Sequence, residues 1–236
     1  MLAVVDYRIP SKLSEGLIRQ GFDLLTLPSH PSLSVPVSAH PDMLLFFAKD
    51  GILTTREYAA VAPRELSILS AHTQKEIVLV DEATAPLYPR DILLNAAVVG
   101  DRVFCRSSHT TSKITQSPAY TVCPVRQGYA KCSTVPVGRN ALITADHSIA
   151  EAARKAATDV LLIEPTHIDI MKYDTGFIGG ATSYAPYQDL ECIYFCGEWE
   201  LHPQADQIYE FLKKHCKKPI SLAKGSLTDI GTVFLI

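Results

Sequence analysis

Residues 43–55 read MLLFFA, then Lys49-Asp50-Gly51, then ILTT. Two apolar, β-prone runs flank a tight turn carrying an Asp-Gly pair, which is the strongest short-range signal for a β-hairpin. The pattern recurs as AAVV, Gly100-Asp101 and RVFC at residues 96–105, and as STVPV, Gly138-Arg139-Asn140 and ALITA at residues 133–145. A fourth pair reads GATSY at 180–184, a longer loop through Pro186, and LECIYFCG at 190–197. Hairpins demand antiparallel neighbours, so a doubly wound parallel sheet does not fit.

Between the hairpins the apolar period changes from 2 to 3.6, which predicts helices over 11–20, 63–71, 149–157 and 203–214. An apolar strand follows each of them, at 23–27, 77–80, 160–163 and 220–222. The repeating unit is therefore a hairpin, a helix and a returning strand. The first unit is incomplete, because LAVVD at residues 2–6 has no strand ahead of it, while the sequence ends on LTDIGTVFLI with no helix after it. Pairing these two segments predicts a ring of five units, an α/β propeller with five-fold pseudosymmetry closed by the C-terminal strand, and it leaves no exposed sheet edge. The Ser/Pro/His-rich stretch 28–41 reads as a surface loop, so residues 1–236 are expected to form one domain.

With 47% hydrophobic and 20% charged residues the chain is globular, and 22 basic against 25 acidic residues leave a net charge of -3. That balance excludes a global pull toward nucleic acid or anionic lipid and favours a small molecule or a protein as partner. MLAVVDYRIP has no basic region and meets Asp6 early, and no apolar run reaches membrane-span length, so a cytoplasmic protein without a membrane partner is expected. The six cysteines form no CxxC pair, and the eight histidines show no zinc spacing; the expectation is reduced thiols, no metal and no cofactor.

HPDMLLF, GYAKCSTVPV, YDTGFIGGATS and SLTDIG resemble segments of an uncharacterised bacterial family of the pentein fold. That fold is the five-bladed α/β propeller of arginine deiminase, agmatine deiminase and dimethylarginine dimethylaminohydrolase, and it also serves a ribosome anti-association factor. The resemblance implies a cysteine nucleophile near the C-terminus, a histidine in an HxDxxF segment, and carboxylates gripping a guanidinium. Here the matching segments retain Asp174 and Phe177, but Lys172 stands for the histidine, and Thr228 or Asp229 stands for the cysteine. The resemblance thus implies the family's fold without its hydrolytic machinery.

Unit phase brings the starts of the inner strands to one central cavity: Asp42, Asn95, Cys132, Gly179-Gly180 and Asp229. Two convergent carboxylates suit a cation or a planar guanidinium, with turn capping as the competing reading of Asp42. Cys132, beside Lys131 and after Gly128, is the candidate catalytic thiol, since a neighbouring ammonium lowers a thiol pKa; on a strand, however, Lys131 falls on the opposite face. The glycines mark a close backbone approach to a strand or a ligand. Three functions follow from these residues. The first is a non-catalytic or altered-site relative that binds a small cationic ligand through Asp42, Asn95, Asp174, Gly179, Gly180 and Asp229. The second is a Cys132-dependent hydrolase or amidinotransferase on guanidino compounds. The third is a protein-interaction module.

Overall fold

The computed structural model describes residues 1–236. Leu2–Asp6 (β1) is buried throughout; Ser11–Arg19 (α1) lays Leu13 and Leu17 on the core and returns the chain to Asp23–Leu27 (β2), parallel to β1. The second unit starts with a short helix, Pro41–Leu44 (α2), followed by Phe46–Phe47 (β3) and Gly51–Thr55 (β4). Two helices, Arg56–Val61 (α3) and Pro63–Thr73 (α4), lead to Glu76–Val80 (β5). The expected strand over MLLFFA is thus shortened, because Pro41 sits at a helix N-terminus and the chain is helical to Leu44. Helix α3 was not legible from periodicity; it is started by Thr55, whose hydroxyl accepts the Tyr58 N–H at 3.1 Å.

The third unit comprises Ala97–Val99 (β6), Arg102–Cys105 (β7), the four-residue helix Ser112–Thr115 (α5) and Thr121–Pro124 (β8). The fourth comprises Thr134–Pro136 (β9), Ala141–Thr144 (β10), His147–Lys155 (α6) and Asp159–Leu162 (β11). Asp146 caps α6 by accepting the Ser148 and Ile149 N–H groups at 2.8 and 2.9 Å, and Arg154 and Lys155 occupy the last turn, where the helix dipole favours cations. The remaining elements are Ile168–Asp169 (β12), Ser183–Tyr184 (β13), Cys192–Phe195 (β14), Ala205–Lys214 (α7), Lys218–Ser221 (β15), Leu227–Thr228 (β16) and Val233–Leu235 (β17).

The pairing follows one rule. Each helical crossover joins parallel strands: β1 with β2, β4 with β5, β7 with β8, β10 with β11, and β14 with β15. The tight turns join antiparallel strands, β3 with β4, β6 with β7, and β9 with β10, and the C-terminal β17 lies antiparallel to β1. Two expectations need correction. GATSY and LECIYFCG do not form a ladder: β13 runs parallel to β17, and the two segments are linked by one antiparallel Thr182–Phe195 bridge, with the Cys196 N–H bonded to the Ala181 carbonyl at 2.9 Å and the Tyr194 N–H to Ser183 Oγ at 3.0 Å. The C-terminal run is also not one strand. It breaks at Gly231 and Thr232, with φ of 74° and 69°, so β16 pairs with β12 and only β17 joins β1. The hydrogen-bonded ladders are six separate sheets, and no continuous barrel runs through them. No helix is long and apolar enough to cross a membrane.

Strand β17 sits between β13 and β1, with Leu235 fully buried. Leu235→Ala is expected to cost ~2–5 kcal/mol in reversible denaturant unfolding, from lost transfer energy plus a residual cavity. A loss under ~1 kcal/mol would mean that the terminal strand is peripheral to the core.

Candidate functional site

Five segments that are distant in sequence meet in one buried polar cluster. Asp42, on the first turn of α2, donates its main-chain N–H to the Gly231 carbonyl at 3.2 Å, which ties the second unit to the C-terminal segment. Its Oδ2 accepts from the Thr232 hydroxyl at 2.8 Å and from the Cys132 thiol at 3.1 Å. Its Oδ1 is buried without a partner. Asn95 is the clamp of the third unit. Its Nδ2 donates to the Asp42 carbonyl at 3.1 Å and to Cys132 Sγ at 3.2 Å, and its Oδ1 accepts the Lys131 N–H at 2.7 Å.

Residues 129–133 form a helical turn, with the Ser133 N–H bonded to the Tyr129 carbonyl at 2.9 Å, and the strand begins only at Thr134. The alternation that would turn Lys131 away from Cys132 therefore does not apply, and both side chains are buried. Lys131 Nζ donates to Thr232 Oγ1 at 3.0 Å and lies 5.3 Å from the Tyr184 ring centroid and 6.0 Å from that of Phe234. Removing an ammonium from water disfavours its charge, so Lys131 titrates at about 8 instead of 10.5, although Asp42 partly offsets this. Cys132 moves the other way from the expectation for an activated thiol. Burial first, then the negative charges of Asp42 and Asp229 and a hydrogen bond to Asp42, hold it well above its ordinary pKa. It is a protonated donor to Asp42 at neutral pH.

Asp229 completes the cluster. Its Oδ2 accepts the Phe177 N–H at 2.8 Å, its Oδ1 accepts the Gly231 N–H at 3.0 Å, and His40 Nδ1 lies 4.0 Å from Oδ1. Burial pushes the carboxyl up, with His40 opposing the shift and Asp42 adding to it. The glycines show why bulk is excluded. A Cβ on Gly180 would stand 1.9 Å from Asp229 Oδ1, and one on Gly179 would stand 2.4 Å from the Thr134 carbonyl oxygen. Their close approach is to the protein's own backbone and carboxylate.

Of the candidate residues, Asp42, Asn95, Cys132, Gly179, Gly180 and Asp229 are brought together, whereas Asp174 is exposed on its turn and stands apart from them. The central space differs from an open cavity. Side chains fill it, leaving a void of ≈ 10 Å³ beside Asp42 and Lys131, walled by Leu45, Phe47, Tyr184 and Phe234. That is room for about one water. Sequence reasoning gives His40 and Thr232 no role and turns Lys131 away from Cys132. His40 opens the quoted HPDMLLF segment and Lys131 adjoins Cys132, so proximity was the available signal; for Thr232 the signal was Gly231 before it, a residue suited to the positive-φ break.

The hairpin, helix and strand units have the pentein fold, which solved structures share. DDAH from Pseudomonas aeruginosa, solved as a mutant complexed with citrulline, aligns with a TM-score of 0.58 and 12% identity over 99% of this chain and 98% of that one. SxtG, an amidinotransferase from Microseira wollei in the saxitoxin biosynthetic pathway, aligns at 0.54 and 14% identity, covering 89% and 73%. The inosamine-phosphate amidinotransferase of Streptomyces griseus aligns at 0.51 and 12%, covering 95% and 79%. The chain belongs to the family of unknown function DUF6873, whose model matches residues 4–234. No curated protein matches its sequence.

Two outcomes follow. Under native conditions iodoacetamide is expected to label the exposed Cys216 first and Cys132 only on unfolding, as peptide mass spectrometry would show; fast native labelling of Cys132 would contradict its buried, protonated state. The folded chain also binds fewer protons at Lys131 than the unfolded chain between pH 8 and 10.5. Stability gained through this group therefore rises with pH across that window, by on the order of 1 kcal/mol per pH unit. The stability difference between wild type and Lys131→Met, measured by denaturant unfolding, should shift toward wild type over the same window; a flat difference contradicts the depressed ammonium.

Proposed function

We propose that this chain is a non-hydrolytic relative of the guanidine-modifying enzymes that holds a small cation, guanidino, amidino or amine, at Asp42 and Asp229 in the centre of a single five-unit ring closed by β17. The observation that carries the reading is Asp42 Oδ1, a carboxylate oxygen buried beside a small void with no partner. A buried acceptor left unpaired costs about 1–3 kcal/mol, which a ligand donor would recover.

The positive charge of the cluster is supplied by Lys131, held one hydroxyl away from Asp42 through Thr232. The void beside Asp42 admits about one water, so a guanidino ligand enters only when the Lys131 side chain swings out, and it takes the place of that charge. Because Lys131 titrates at about 8, releasing its proton at pH 7 costs only about 1.4 kcal/mol. A Cys132-dependent reaction is less well supported, because the thiol is buried and protonated. All six thiols are unpaired, which supports a reducing compartment such as the cytoplasm.

Guanidinium, agmatine and arginine at millimolar concentration are expected to raise the melting temperature by mass action, and Asp42→Asn to abolish the rise. Lys131→Ala should unfold at a lower temperature than wild type and be rescued by added ethylammonium or guanidinium, which refill the vacated charge. Absence of any shift in both wild type and Lys131→Ala would exclude a central cation site.

A further inference from the structure

Strands β3, β6 and β9 run from the central cluster to the turns at Lys49-Asp50-Gly51, Gly100-Asp101 and Gly138-Arg139-Asn140. At that far end the turns and the segment 185–189 enclose a cleft of ≈ 260 Å³ that none of the central residues occupies. Its walls are Phe47, Tyr120, Tyr184 and Tyr187, and its cations are Lys49 and Arg139. The charges are not balanced. Asp189 is the one carboxylate lining the cleft, and it is already paired with Lys217, whereas Arg139 is exposed with no carboxylate beside it. Lys75 adds a third cation at the edge, 5.2 Å from the Tyr187 ring centroid.

One polar group is left over inside. The Tyr187 hydroxyl is buried and makes no hydrogen bond, which is a costly state for a phenol. Lys49, by contrast, is steadied: its Nζ donates to the Ala119 carbonyl at 2.9 Å and lies 5.3 Å from the Tyr120 ring centroid, and its own N–H donates to the Tyr120 hydroxyl at 3.0 Å.

We propose that this cleft is a second binding site, independent of the central cluster, for a small planar organic anion of the aromatic or heteroaromatic carboxylate class. The ring packs against the tyrosines, the carboxylate takes the forked guanidinium of Arg139 with Lys49 beside it, and a ring substituent or carboxylate oxygen meets the Tyr187 hydroxyl. Lys49, Arg139 and Lys75 outnumber the one unpaired acid near the cleft, Asp50 on the turn close to Tyr120 and Tyr187, so the site favours opposite charge to the central one. Tyr184 is the wall between the two, since its ring also faces Lys131.

Calorimetric titration with benzoate, 4-hydroxybenzoate and benzylamine tests this. Saturable binding of the two acids is expected, weakened by added salt, with benzylamine at least tenfold weaker. Arg139→Gln, on an exposed turn, and Tyr187→Phe should each weaken 4-hydroxybenzoate about tenfold, equivalent to ~1.4 kcal/mol. Agmatine should not compete, which separates this site from the central one. No saturable binding of either acid, equal binding of benzylamine, or full affinity in Arg139→Gln would overturn the proposal.

Discussion

The Thr232 hydroxyl, poised between Lys131 Nζ and Asp42 Oδ2, is the contact on which the centre of the molecule depends. It lets an ammonium and a carboxylate share one interior without touching, while Gly179 offers its carbonyl to the same hydroxyl at 2.9 Å. Charges taken out of water are tolerable only when paired and hydrogen-bonded. The break of the C-terminal segment at Gly231 and Thr232 is what brings that hydroxyl inward. The same break frees the Gly231 N–H and carbonyl to bind Asp229 and Asp42.

This arrangement explains why chemistry does not follow from fold. The chain shares its architecture with amidinotransferases and DDAH, at identities of 12–14% that carry the fold alone. Burial, and then the carboxylates of Asp42 and Asp229, keep Cys132 protonated, so its thiol serves as a hydrogen-bond donor. Lys131 supplies the positive charge of the cluster from within the chain. The cluster binds the starts of several units to one another, and a shape requirement goes with it: Gly180 can carry no side chain beside Asp229.

Local signals made much of the fold legible. The Asp-Gly and Gly-Asp turns at 50–51 and 100–101 announced antiparallel pairs, and the 3.6 period placed α1, α6 and α7 within a few residues of their ends. Where tertiary contacts override local preference, the reading failed. MLLFFA has the composition of a strand, yet it begins as a helix behind Pro41, and GATSY leaves its sequence neighbour to pair with β17. The cluster was half legible. Phase alone located Asp42, Asn95, Cys132 and Asp229, because residues at equivalent points of repeated units converge. Strand alternation turns Lys131 away from Cys132, but residues 129–133 form a turn, where a period of 2 does not hold. Asp174 was included through its place in a motif, but its turn projects into solvent.

The central claim, a buried ammonium tied through Thr232 to Asp42, is tested most directly by heteronuclear NMR titration of the Lys131 side chain. The Cε resonance should titrate near 8, with slowly exchanging Nζ protons, and the apparent pKa should fall further in Asp42→Asn, where the favourable charge is lost. A Lys131 titrating at 10.5 with freely exchanging protons, unaffected by that substitution, would contradict the account.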